Sequence, residues 1–167
     1  MLHIAPESAL EPRLRRVVGK GYLTADLLNK RVMTELDITN IQYPDNHFDV
    51  IFCSHVLEHV QDDERGIREL SRVLNPDGWA ILMVPIKEEM TFEDESVTDP
   101  KAREQIFGQA DHVRVYGKDF IDRVQKNGFN VTVVHPADFL SLEEVQLMGI
   151  TSFGGEIFFC TKKFGAT

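Results

Sequence analysis

Short apolar runs alternate along the chain with stretches in which apolar residues recur every three or four positions. Leu2-His3-Ile4-Ala5 fits a strand. Leu10, Leu14 and the Val17/Val18 pair then share one helical face, with Arg13, Arg15 and Arg16 off it, until Gly19-Lys20-Gly21 stops the helix. Tyr22-Leu23-Thr24-Ala25 reads as a second strand ending at Asp26, and Val32 to Leu36 as a weaker third ending at Asp37. The strongest strand is Phe48 to Cys53. Its Val50-Ile51-Phe52 centre is continuously apolar, as expected of a parallel strand covered on both faces. Asp62 or Asp63 can cap a helix running to Leu74, with Ile67, Leu70 and Leu74 inward. The turn Asn75-Pro76-Asp77-Gly78 leads into an apolar strand from Trp79 to Val84, with Trp79 read as core or helix–sheet packing.

Strands alternating with helices predict an α/β fold with a mostly parallel sheet. The rhythm breaks between Lys87 and Glu104, where seven acidic and three basic residues show no periodicity. Such a stretch is expected to be a solvated loop or an active-site lid. Order resumes with a helix from Lys118 to Asn127, followed by Gly128 at its C′ position. Val131 to Val134 and Glu156 to Cys160 read as two last strands, with a capping box at Ser141-Leu142-Glu143-Glu144 between them.

Composition narrows the function classes. The 167 residues suit one domain, and 43% hydrophobic content is enough for a core. Lys and Arg total 18 against 27 Asp and Glu, a net charge of -9, which argues against a nucleic-acid partner. The 87–104 stretch alone carries four of those negative charges. No apolar run reaches the roughly 18 residues that span a bilayer, so no membrane partner is expected. The first residues lack the pattern of a signal peptide, and Cys53 and Cys160 form no CxxC pair. A cytoplasmic domain is the resulting expectation.

In an open parallel sheet, ligands bind beyond the carboxyl ends of the strands. That rule selects Ala5-Pro6-Glu7, Asp26, Asp37 and Ser54-His55. Carboxylates at two successive strand ends suit ribose hydroxyls and an adenine amino group. The competing role is local, since Asp also caps turns and helices.

The run Phe48-Asp49-Val50 through His55-Val56-Leu57-Glu58-His59-Val60, then Arg68-Glu69-Leu70-Ser71-Arg72-Val73-Leu74-Asn75-Pro76-Asp77-Gly78, resembles the small-molecule type of class I S-adenosylmethionine-dependent methyltransferases. The resemblance implies a Rossmann-like seven-stranded sheet, mostly parallel with an antiparallel last strand pair, and S-adenosylmethionine as cofactor. By that resemblance Ala5, Pro6 and Glu7 occupy the loop beside the cofactor, which here contains no glycine. Asp26 matches the ribose-binding acid, and Asp37 and Ile38 match the pair that holds the adenine. Cys53 and Ser54 lie along the methionine part, and His55 faces the acceptor as a candidate general base. The resemblance also implies a single domain over residues 1–167 with a lid-like insertion at about 87–115. A first strand at Leu2 leaves no room for the helix that usually precedes it.

Two further groups carry chemistry. His55, Glu58 and His59 have spacing able to hold a metal, but packing and capping explain them more simply, so no metal is assigned. His112, Arg114 and Tyr116 alternate along an extended segment and could orient an acceptor, the alternative being a solvated edge. The leading expectation is methyl transfer to a small-molecule acceptor, with a homodimer left open. The alternative is a catalytically silent cofactor-binding or partner-binding domain. A nicotinamide enzyme would need a GxGxxG turn that is absent.

Overall fold

Phe48–Ser54 (β4) lies at the centre of the sheet because its apolar residues face cover on both sides; Ile51 and Cys53 are buried. Beside it run Leu2–Ile4 (β1) and Leu23–Asp26 (β2), and Thr34–Glu35 (β3) forms the edge. On the other side lie Leu74–Met83 (β5), Ile157–Lys162 (β10) and Phe129–Val134 (β9). The computed structural model describes residues 1–150 and 156–163, and its main sheet has the order β3-β2-β1-β4-β5-β10-β9. β10 runs antiparallel to both β5 and β9, and the other pairings are parallel. This is the seven-stranded α/β sheet, with its antiparallel last pair, that the resemblance implies.

The helices follow their apolar periodicity with one adjustment. Glu11–Val18 (α1) turns Leu10, Leu14 and Val18 partly inward, whereas Val17 is exposed and does not join that face. Asp63–Val73 (α2) is capped by Asp62, whose side chain accepts from the Arg65 amide, and it buries Ile67, Leu70 and Val73. Phe120–Lys126 (α4) packs against α2 and β9. The short helix Leu142–Leu147 (α5) carries the reciprocal Ser141–Glu144 capping box.

Asn75-Pro76-Asp77-Gly78 is not a free turn. It forms the irregular start of β5, where the register with β4 shifts between Phe48 and Val50. Gly78 is needed there because a Cβ would fall 2.6 Å from the Asp49 carbonyl oxygen. Trp79 is 37% exposed and lies against Phe159, not in the core.

The charged stretch is regular structure in place of the expected loop. Ile86–Glu88 (β6), Phe92–Glu93 (β7) and Arg114–Gly117 (β8) form a second sheet in the order β6-β8-β7, with Pro100–Phe107 (α3) between β7 and β8. Arg114 pairs with Glu93 across β8 and β7, and Asp99 caps α3, contacts that help this polar segment fold. Among the described residues no helix is long and apolar enough to cross a membrane.

Candidate functional site

The carboxyl ends of β1, β2 and β4 open into one cleft of about 390 Å³. Ala5, Asp26, Asp37, Ile38 and His55, five of the residues picked from the sequence, line it together. Leu27, Leu28, Val56, His59, Val60 and Asp111 join them in its walls, with Ile4 and Leu36.

Each aspartate is held in a local turn. Asp26 Oδ1 accepts from the amides of Leu28 and Asn29 at 2.7 and 2.8 Å, and Asp37 Oδ1 accepts from the Thr39 amide and hydroxyl, both at 2.8 Å. These are the local turn roles that Asp plays by preference. In each case the second oxygen has no partner among the described residues, so it stays available at the cleft wall. Ile38 is buried beside Asp37 and supplies an apolar surface next to its carboxylate.

The glycine-free loop solves its backbone problem at Ala5. This residue takes φ of +48°, the left-handed region that glycine normally fills. Its amide is held by the Ala25 carbonyl at 2.8 Å, which fixes the turn off β1 onto β2. Glu7 is directed elsewhere. Its Oε2 lies 2.8 Å from His3 Nε2, while His3 Nδ1 meets the Tyr22 hydroxyl at 2.6 Å. His3 is fully buried, and burial pushes the Tyr22 phenol up to about 12, so that hydroxyl keeps its proton. Pro6 and Glu7 therefore shape the loop without lining the cleft.

Cys53 and Ser54 sit within the last residues of β4 and are buried beneath the cleft floor, outside its lining. Burial pushes the Cys53 thiol well above its usual range, so it stays protonated and unreactive. The chain then turns sharply at His55, which also has positive φ, at +53°. That turn aims the half-exposed imidazole at the cleft. His55 Nδ1 lies 3.2 Å from Glu58 Oε1, and this hydrogen bond raises the imidazole pKa above its ordinary 6.5 against the opposing pull of burial.

The expected acceptor face made by His112, Arg114 and Tyr116 does not form. Burial and partners account for the difference. Arg114 is 2% exposed and donates to the carbonyls of Leu57, Val60 and Gln61 and to Glu93. The Tyr116 hydroxyl donates to Asp63 Oδ2, and burial followed by the Asp63 charge holds it far from ionisation. Together with Arg123, these groups bind the second sheet to the segment that follows β4. His112 is buried behind the cleft, edge-on to His59 at 4.6 Å between ring centres, and burial lowers its pKa. Its Nδ1 lies 3.2 Å from the Phe107 carbonyl oxygen.

The sequence reading missed Leu27 and Leu28, which are 50% and 82% exposed at the cleft rim. Two leucines directly after a strand-end aspartate were a usable signal. Asp111 had none, because its place depends on the fold of the charged stretch. It lies 3.2 Å from His59 Nδ1.

A family model described as a methyltransferase domain matches residues 15–82, a span that runs from α1 through β5. Ajmaline N-methyltransferase of Rauvolfia serpentina is 28% identical over 87 residues, covering 52% of this chain and 30% of that protein. The ubiquinone/menaquinone biosynthesis C-methyltransferase UbiE of Paraburkholderia phymatum is 31% identical over 77 residues, 46% of this chain and 29% of that one. The chain thus spans under a third of the length of these relatives. Among solved structures, an S-adenosylmethionine-dependent methyltransferase from Mesorhizobium loti superposes with a TM-score of 0.66 at 13% identity. That likeness covers 95% of this chain and 88% of that one and concerns the fold alone. The chain is therefore similar in sequence to a methyltransferase domain over residues 15–82, and it shares almost throughout the fold of an S-adenosylmethionine-dependent methyltransferase.

Proposed function

We propose that this chain transfers a methyl group to an oxygen or nitrogen of a small molecule. The observation that carries the reading is the cleft itself: Ala5, Asp26, Asp37, Ile38 and His55 converge where three parallel strands end. S-adenosylmethionine is the cofactor of the family and, when bound, supplies a methyl group on a sulfonium sulfur.

The residues present fit that cofactor. Asp26 keeps one oxygen free to accept from ribose hydroxyls. Asp37 offers the same to an adenine amino group, with Ile38 as apolar backing. The left-handed turn at Ala5 keeps the first loop low, and the His3 contact draws the Glu7 carboxylate aside, away from the carboxylate such a cofactor already carries. His55, oriented through Nδ1 by Glu58, presents its other ring nitrogen to take the acceptor's proton. Methyl transfer is an in-line displacement, so the chain's main work is alignment plus that one proton. A cleft of about 390 Å³ suits a small ligand, and the net charge of -9 is wrong for a phosphate backbone.

The test is calorimetric titration with S-adenosylmethionine and S-adenosylhomocysteine, followed by labelled methyl transfer to a panel of small phenols, hydroxy acids and amines. Binding of both ligands and transfer to at least one acceptor support the reading. Absence of binding to either ligand refutes it.

A further inference from the structure

Behind the cleft wall, one ligand atom from each of Glu58, His59 and His112 falls within a group whose members all lie within 4.8 Å of one another. Glu58 and His112 are 2% and 3% exposed. Both residues also carry an orphaned atom: Glu58 Oε2 and His112 Nε2 are buried with no hydrogen-bond partner among the described residues. Unsatisfied buried polar atoms are costly, and two of them on members of one cluster point to a shared occupant.

The surroundings determine what that occupant is. His112 Nδ1 faces the Phe107 carbonyl, which only accepts, so the ring proton sits on Nδ1 and Nε2 carries a lone pair. His59 Nδ1 faces the Asp111 carboxylate, which fixes its proton in the same way and leaves the lone pair on the other nitrogen. Glu58 Oε1 is taken by His55, leaving Oε2 as an acceptor. Three acceptors therefore meet with no donor among them. Two imidazoles steered by a backbone carbonyl and a carboxylate reproduce the outer-shell arrangement that orients metal-binding histidines.

We infer that Glu58, His59 and His112 form a binding site for a divalent transition-metal ion such as zinc. Two imidazoles and one carboxylate are a donor set such ions favour. Bond lengths of about 2.0 to 2.1 Å require donor atoms near 3.3 Å apart, so small side-chain rotations close the set. Three protein ligands leave at least one coordination position open, and one of the three, His59, also lines the cleft. The site is a different grouping from the His55-Glu58-His59 spacing in the sequence: His112 arrives from 53 residues beyond His59 through the fold of the charged stretch. The Arg114 contacts to Leu57, Val60 and Gln61 brace the turn that carries Glu58 and His59. The inference stands apart from the methyl-transfer reading, since metal binding needs no cofactor.

The experiment uses the full chain stripped by chelator and titrated with Zn²⁺ by calorimetry, with Co²⁺ absorption as a second readout of coordination. One equivalent should bind, with cobalt bands of a four- or five-coordinate site. His59→Ala and His112→Ala should each weaken binding by about tenfold or more. The exposed controls His47→Ala and His135→Ala should leave it unchanged. Glu58→Gln should weaken binding similarly. Should that buried substitution fail to fold, the partly exposed His59→Ala decides, with its fold checked by circular dichroism in chelator. Overturning results are no stoichiometric binding of either ion, or affinity retained in both His59→Ala and His112→Ala. Those results leave titration with S-adenosylhomocysteine untouched, so the two readings fail separately.

Discussion

The cleft at the ends of β1 and β2 and the junction between β8 and α2 are built from the same kinds of residue, yet they have opposite characters. In the cleft, Asp26 and Asp37 each spend one oxygen on a turn and leave the other free. At the junction, Asp63 is 1% exposed and has both oxygens engaged, one by Arg123 and one by Tyr116. Arg114 beside it fills three carbonyls and a carboxylate. A charged residue with spare valence at an opening is equipped to bind a ligand, whereas one with every atom satisfied in the interior is holding the protein together. Residue type alone does not separate these cases.

Breaking the junction should have the largest effect. Arg114→Ala strips a buried guanidinium and leaves the Leu57, Val60 and Gln61 carbonyls and part of the Asp63 charge uncompensated. Removing one partner of a buried ionic network typically costs about 3 to 5 kcal/mol, so urea denaturation should show a loss of that size. A loss under about 1 kcal/mol would mean that water replaces the guanidinium and that the junction is no anchor.

Asp26→Ala should do the reverse. It gives up a turn contact worth about 1 kcal/mol, but it removes the free oxygen proposed to meet the ribose. A lost charge-assisted hydrogen bond costs about 1.5 to 3 kcal/mol, so affinity for S-adenosylhomocysteine should fall by at least about tenfold. If stability falls heavily while affinity holds, Asp26 belongs with Asp63, and the contrast between the two regions collapses.

The contrast also shows what the sequence could convey. The apolar runs announce β4 and β5 because a strand buried on both faces must be continuously apolar, and the strand-end rule then reaches Asp26, Asp37 and His55 without any coordinates. Arg114 and Tyr116 were misread because alternation shows only that two residues share a face. Whether that face meets solvent or the α2 terminus depends on the β6-β8-β7 sheet, and this pairing arises from charge partners far apart in sequence. The Glu7–His3 contact was missed for a similar reason. It follows from the left-handed backbone at Ala5, which no side-chain pattern encodes.

Ala5 offers a finer probe. Holding a non-glycine residue at φ of +48° costs about 1 kcal/mol. Ala5→Gly relieves that cost and adds unfolded-state entropy of similar size, so stability should change by less than about 1 kcal/mol. Ala5→Val puts a β-branched residue in the same backbone state and crowds the cleft. It should lose both stability and S-adenosylhomocysteine affinity. Equal behaviour of the two variants would show that the loop relaxes and that the backbone there does not shape the site.

The smallest effect belongs to Glu69, which stands between the two extremes because it is ion-paired yet partly open. It receives two hydrogen bonds from Arg72 and one from the Ile41 amide, bracing the segment between β3 and β4 behind the Asp37–Ile38 wall. The Arg72 hydrogen bonds, opposed by partial burial, hold its pKa below the usual carboxylate value. A carboxyl group whose pKa is depressed by folding stabilises the fold fully above its unfolded value of about 4.3, and that contribution fades as pH falls through the folded value. Glu69→Gln should therefore cost at most about 1 kcal/mol at pH 7 and flatten the fall in stability below about pH 4.3, leaving behaviour above pH 6 parallel to the parent. If the variant instead tracks the parent through the acid limb, the Arg72 contact contributes nothing. The ordered wall beside Ile38 would then rest on apolar packing alone.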